Sequence, residues 1–154
     1  MFLGHFRHGV DAKGRVAVPA QYRRGLPEGS VVTVGTEGRL VIRPPDAWRE
    51  LEGTHRLTAQ TPEDERRLIR TLFANARPLE LDGQGRMLLD AGHRRWAQIG
   101  ERAVFAGLGE VVEIVGEGLW DGEQAGLDPD GFTALNDAVM TRAGSHPAGA
   151  PQPA

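Results

Sequence analysis

Asp11-Ala-Lys-Gly14-Arg15 recurs as Asp82-Gly-Gln-Gly85-Arg86, at an offset of 71. Each copy continues with apolar residues at alternate positions, Val16 and Val18 in the first, Met87 and Leu89 in the second. Ala20, Arg23 and Arg24 recur as Ala91, Arg94 and Arg95. Farther on the offset becomes 72, and Val32, Gly35, Ile42 and Trp48 match Val104, Gly107, Ile114 and Trp120. One inserted residue between Arg24 and Val32 accounts for the slip. A shared pentapeptide can arise by chance. Matched glycine and tryptophan spacing along a whole unit is much harder to reach that way. The chain therefore reads as two copies of one unit, 5–48 and 76–120. A helical segment, 49–75, joins them, and a helix and tail over 121–154 follow.

Each unit reads as strands around a short helix, so the expected class is α+β, with a pseudo-two-fold, β-rich and barrel-like core. In the first copy His5 to Val10 is a strand, and Arg15 to Val18 is its return. Between them Gly14 is free to take the positive φ that a tight reversal needs. Pro19 opens a helix that Gly25 ends. Val31–Val34 and Leu40–Ile42 form a hairpin around Gly35-Thr-Glu-Gly38. Asp46 is placed as the cap of a last helical turn holding Trp48 and Leu51. In the second copy Asp90 replaces Pro19 and keeps a helix-start signal, because aspartate caps well. In the joining segment Thr61 is placed as an N-cap, with Pro62 first and Asp64 in a weak capping box. Leu68, Ile69, Leu72 and Phe73 then form an apolar stripe expected to pack on the sheets. A second helix is expected over Asp128–Thr141, with Phe132, Leu135 and Val139 on one face. The Pro-, Ala- and Gly-rich tail from Ala143 is expected to be mobile.

The 154 residues are 40% apolar and 25% charged, ordinary proportions for a globular chain. There is no cysteine, which excludes a disulfide framework, a thiolate metal site and a cysteine nucleophile. No apolar run approaches the ~18 residues of a membrane span. Met1–Val10 has no signal-peptide apolar region. A net charge of −3 argues weakly against a nucleic-acid partner. Its distribution does not. Arg7, Lys13, Arg15, Arg23 and Arg24 face only Asp11 up to residue 26, whereas the last third is strongly acidic. With a Debye length of about 8 Å at physiological salt, a basic patch meets phosphate whatever the distant charges are.

Enzyme motifs are missing, so catalysis is not expected. The only serines are Ser30 and Ser145, and no Gly-x-Ser-x-Gly or zincin pattern exists. Asp128-Pro-Asp130-Gly131 hints at a calcium loop, but the twelfth position is Val139 rather than Glu. His5 and His8 stand three apart on a strand and so face opposite sides, which disfavours a shared metal. Neither metal nor cofactor is expected. The chemistry lies in the repeated signature. Asp11 or Asp82 can cap the turn, and Gly14 or Gly85 permits the reversal. Arg15 or Arg86 is left projecting from the start of a strand. Either each arginine pairs with its own aspartate and staples the turn, or each faces outward toward phosphate or the O6/N7 edge of guanine. Two copies about a pseudo-dyad would present two arginines to one duplex. Tyr22 and Trp96 read as packing aromatics rather than stacking platforms.

Gly4, the run Val10-Asp-Ala-Lys-Gly-Arg-Val-Ala-Val-Pro-Ala20 and the second Leu81-Asp-Gly-Gln-Gly-Arg-Met87 resemble the MraZ family, which is built from two SpoVT-AbrB-type units. The resemblance runs from Met1 to about Trp120. It implies a transcriptional regulator, typically a repressor, of the division and cell-wall gene cluster. Such a protein binds direct repeats in double-stranded DNA upstream of its own gene. It implies assembly into a homo-oligomeric ring, and a place in the cytoplasm on the nucleoid. It assigns DNA contact to Arg15 and Arg86, with Lys13 adding a phosphate contact. Gln84, the counterpart of Lys13, carries no charge, so the halves are expected to contribute unequally. Asp90 departs from the family's proline and brings a carboxylate toward the presumed DNA face. The acidic segment from Asp121 fits the family poorly. No membrane segment and no small-molecule effector are visible in the sequence. Two rivals remain: an assembly module in which the Asp–Arg pairs only hold turns, and an antitoxin-like binder whose tail masks a partner.

Overall fold

In the computed structural model, which describes residues 1–144, the chain separates into two units, Met1–Trp120 and the part from Asp121 onward. The first carries the strands: β1 (His5–Gly9), β2 (Arg15–Ala17), β3 (Val31–Val34), β4 (Leu40–Arg43), β5 (Arg77–Pro78), β6 (Arg86–Leu88), β7 (Arg102–Gly107) and β8 (Val112–Gly116). Between them lie α1 (Ala20–Arg23), α2 (Pro45–Thr54), α3 (Glu63–Ala74) and α4 (Ala91–Trp96). Helix α5 (Glu117–Gln124) follows β8. The second unit holds α6 (Pro129–Gly144). The class is α+β. Among the described residues no helix is long and apolar enough to cross a membrane.

Six strands form one antiparallel sheet in the order β1-β7-β8-β4-β3-β5. The two signature strands stand apart from it as a ribbon, β2 against β6, with Arg15 opposite Leu88 and Ala17 opposite Arg86. The alternation read in the sequence explains the ribbon. Val16, Val18, Met87 and Leu89 all turn inward and are at most 2% exposed. They close one end of a core that contains Leu40, Ile42, Phe105 and Ile114. Strands with period-two side chains can bury one face only if the register is kept, so these four residues fix the pairing.

Tyr22 anchors the N-terminal segment. It is 1% exposed, and its ring meets Phe2 and Phe6 edge-on at centroid distances of 5.5 and 5.3 Å. Its hydroxyl donates to the Gly4 carbonyl at 2.5 Å, with the Leu3 carbonyl at 3.1 Å. Tyr22→Phe keeps the packing and loses the donor. It should cost about 1 kcal/mol in urea denaturation, the usual net value of one hydrogen bond, because Gly4 O keeps the Gly107 amide. An unchanged midpoint would show that water replaces the hydroxyl.

Several helix starts differ from the sequence reading. Pro19 sits at the cap position of α1 rather than inside it, and Pro44, not Asp46, caps α2. Asp46 instead lies in the first turn, paired with Arg49. Pro62 caps α3, while the Thr61 hydroxyl accepts from Thr58 N at 2.8 Å. In each case a proline leads into the helix with its φ already fixed, and it carries no capping side chain. Asp90 does cap α4, accepting from His93 N at 2.8 Å. Asp128 accepts from Gly131 N at 2.7 Å at the start of α6, which runs on to Gly144. The tail beyond Gly144 lies outside the described residues. Of the α3 stripe, Ile69 and Leu72 are buried, Phe73 meets Trp48 at 5.4 Å, and Leu68 remains 47% exposed.

Candidate nucleic-acid interface

The two signature loops have the same local chemistry. In the first, Asp11 Oδ1 accepts from Lys13 N at 3.0 Å and Arg15 N at 2.9 Å, while Asp11 Oδ2 accepts from Arg15 Nε at 2.7 Å. In the second, Asp82 Oδ1 accepts from Gln84 N at 2.9 Å and Arg86 N at 3.0 Å, and Asp82 Oδ2 from Arg86 Nε at 2.8 Å. Aspartate, not glutamate, is required because only the short side chain reaches its own downstream amides. Gly14 and Gly85 complete the turns at φ +84° and +74°. The spacing Asp-x-x-Gly-Arg is therefore one turn device, made twice.

The loops are also interlocked. Val18 N donates to Gly85 O at 3.0 Å, and Leu89 N donates to Gly14 O at 2.8 Å. A Cβ on Gly14 would overlap the Arg94 guanidinium, and one on Gly85 would overlap that of Arg23. Each glycine thus makes room for an arginine of the other copy. Arg23 Nε donates to Val18 O at 2.9 Å and Arg94 Nη1 to Leu89 O at 3.1 Å, which holds both guanidinium groups under the loops. In the sequence Arg94 reads only as a repeat marker, and Arg23 as a repeat marker and one of the basic N-terminal residues. Their signal was present: a residue that recurs with a Gly-containing turn, but on a helix, is a candidate to pack against it.

Arg15 and Arg86 come together across the ribbon. Arg86 Nη1 lies 3.9 Å from Asp11 Oδ2, the oxygen that also holds Arg15 Nε, and both arginines line one shallow depression with Asp82 and Leu88. In both, the bond to the aspartate of the same turn uses Nε. Among the described residues, the Arg15 Nη atoms make no hydrogen bond, so its terminal edge is open. Stapling and outward presentation are thus compatible, because they use different edges of the same group. Lys13 is exposed at the tip of the first loop, and Gln84 takes its place in the second. Leu88, unremarked in the sequence, stands 64% exposed on the ribbon opposite Arg15. Lys13, Arg15, Arg23, Arg86 and Arg94 gather around Asp11 and Asp82, with Glu80 on the wall of the same depression, so cations outnumber carboxylates at this face on a chain of net charge −3.

Asp90 is drawn away from free charge. It caps α4 and lies 3.5 Å from Arg77 Nε. The two histidines of β1 serve ring packing: His5 meets Trp120 at 5.1 Å and His8 meets Phe105 at 6.1 Å. Burial first, then Arg23 and Arg102, hold the His8 imidazole below its ordinary range. Trp96 is 42% exposed, and its indole N–H donates to Gly35 O at 3.2 Å.

Backbone amides, above all those of Arg15 and Arg86, hold the Asp11 and Asp82 carboxyls below the ordinary aspartate range. A depressed carboxyl pKa supports the turn at neutral pH, and that support is lost only as pH falls through the lowered value. In a carbon-detected NMR titration both carboxyls should protonate at lower pH than ordinary aspartates. A midpoint in the ordinary range would show that the turn bonds are not kept in solution.

The fold and this face define a class: an α+β protein that brings two Asp–Arg turns side by side on one positive surface. The family described as "MraZ protein, putative antitoxin-like" matches residues 1–70. The "Transcriptional regulator MraZ" of Herpetosiphon aurantiacus is 42% identical over 120 residues, 78% of this chain and 84% of that protein. That of Desulfitobacterium hafniense is 40% identical over the same length, and that of Roseiflexus castenholzii 38% over 128 residues, 83% of this chain and 90% of that protein. The chain belongs to the MraZ family.

Proposed function

We propose that this chain is a sequence-specific DNA-binding transcriptional regulator, acting as a repressor of the division and cell-wall gene cluster. It binds direct repeats upstream of its own gene as a homo-oligomeric ring, on the nucleoid in the cytoplasm. The observation that carries this reading is the meeting of Arg15 and Arg86 on one ribbon, each fixed through Nε, with Lys13 beside them. A guanidinium held by one edge is pre-organised, so little rotamer entropy is lost when its other edge meets phosphate or guanine. Leu88, opposite Arg15 on the same ribbon, suits an apolar contact such as a thymine methyl. The names of the relatives support the same reading.

The pair of units proposed for it is 5–48 and 76–120, duplicated SpoVT-AbrB-like halves around a pseudo-dyad. The crossed bonds Val18–Gly85 and Leu89–Gly14 support that division. One such face per protomer is small, and tight binding needs several protomers on spaced repeats.

The test is fluorescence anisotropy on a duplex from the chain's own upstream region and on its scrambled copy, over a salt series, with mass measured by light scattering. Tight binding to the natural duplex that weakens steeply with salt, by a particle of several chains, supports the proposal. Equal binding to both duplexes, or none, overturns it in favour of an assembly module.

A further inference from the structure

We propose that a cavity on the outer face of the sheet, distinct from the signature loops, is a binding site for an amphipathic monocarboxylate: an apolar body carrying one carboxylate. The cavity encloses about 490 Å³. Leu51 of α2, Leu68 and Leu72 of α3, and Trp96 at the end of α4 supply apolar walls. Arg43, which ends β4, and His55, which follows α2, supply the polar ones. The volume falls in the range of small-ligand sites, and the lining has their usual form, mostly apolar with a few polar groups.

The polar groups identify the ligand class. Arg43 Nη1 and His55 Nδ1 are shut off from solvent and meet no hydrogen-bond partner in the described chain. A buried polar atom without a partner is costly, and more so on a guanidinium that stays charged at any physiological pH. Burial alone accounts for the lowered pKa of Arg43, with no carboxylate offsetting it. Glu113 lies on the same wall, but its partner is Arg39, at 3.8 Å. An alcohol or amide would leave the Arg43 charge unneutralised. A phosphate or dicarboxylate would bring a second charge against leucine walls and Glu113. A carboxylate admitted by a shift of the side chains that cover these two atoms would accept from both orphaned groups and place its apolar remainder against Leu51, Leu68 and Leu72. The half-exposed Leu68 marks the mouth. Trp96 is held in place by its bond to Gly35 O, so one wall is fixed in advance.

This proposal does not rest on the regulatory reading, and its test uses no DNA. The full chain is titrated with decanoate, below its aggregation concentration, and with decanol, by calorimetry and by the Trp96 indole N–H signal in NMR. Decanoate should bind once per chain and move the Trp96 signal, with decanol at least tenfold weaker. Arg43→Met should lose at least tenfold for decanoate and nothing for decanol. Leu68→Trp, which fills the mouth, should block both, and the exposed Arg56→Met should change neither. Folding of each variant is checked by its NMR spectrum. Equal affinity for decanoate and decanol, no saturable binding, or wild-type binding by Arg43→Met would each overturn the proposal. So would a cavity closed by a second copy of the chain, seen as no decanoate binding together with a lower mass for Arg43→Met.

Discussion

Gly14→Ala is expected to cost the fold about 3 kcal/mol, roughly twice the cost of Gly85→Ala, although the two glycines occupy matched turns. Both have positive φ, so a methyl group is strained at either place. The small gain from a less flexible unfolded chain, up to about 1 kcal/mol, does not offset an incompatible φ. The difference comes from the neighbours. At Gly85 the three nearest atoms all belong to the Arg23 side chain, which can swing aside at the loss of its Nε bond to Val18 O. At Gly14 it meets Arg94 and also comes within 2.7 Å of the Leu89 carbonyl. That carbonyl belongs to a residue whose N–H donates to Gly14 O and whose side chain is fully buried. It cannot move without opening the core end of the ribbon. Urea denaturation of the two variants gives the comparison. Equal losses would mean that the Leu89 strand yields as readily as a side chain, and that the two loops are mechanically alike.

That asymmetry was not legible in the sequence, although the repeat that contains it was. Recurring Asp, Gly and Arg give the turns, and the alternation of Val16, Val18, Met87 and Leu89 gives the buried faces, because both depend on local spacing. Which turn packs on which helix depends on partners some 70 positions away. The crossing of Arg23 to Gly85 and Arg94 to Gly14 therefore appears only in three dimensions. The helix starts at Pro44 and Pro62 differ by a residue or two from those read in the sequence for a local reason: the fixed φ of proline suits the residue that leads into a helix, so the chain enters there rather than at Asp46 or Thr61. The cavity has no sequence signature at all. Arg43 ends an ordinary apolar strand, and nothing in its neighbours tells that its Nη1 will be shut away from water beside a cavity lined by Leu51, Leu68 and Trp96.

The double variant Arg15→Ala/Arg86→Ala should lose at least a thousandfold in affinity for the natural upstream duplex while keeping its fold and its mass. A well-placed arginine at a base edge is worth ~1–3 kcal/mol, and a ring that engages two repeats loses both arginines in each of two protomers. Even at the low end, four lost contacts amount to about 4 kcal/mol, or three decades. Each phosphate contact removed should also lower the salt slope by about one. Folding stability should change little, because both Asp–Arg pairs are screened by solvent, and each aspartate keeps its two backbone donors. The single variants then separate the halves. With Lys13 beside it, Arg15 is expected to matter more than Arg86, whose loop carries Gln84. Arg15→Lys keeps the charge but not the Nε brace. Binding recovered by Lys would assign Arg15 to phosphate, and binding still lost would assign it to a base edge or to the brace itself. If the double variant bound DNA normally but unfolded at lower urea, the arginines would serve the turns alone, and the DNA contact would have to lie elsewhere on the surface.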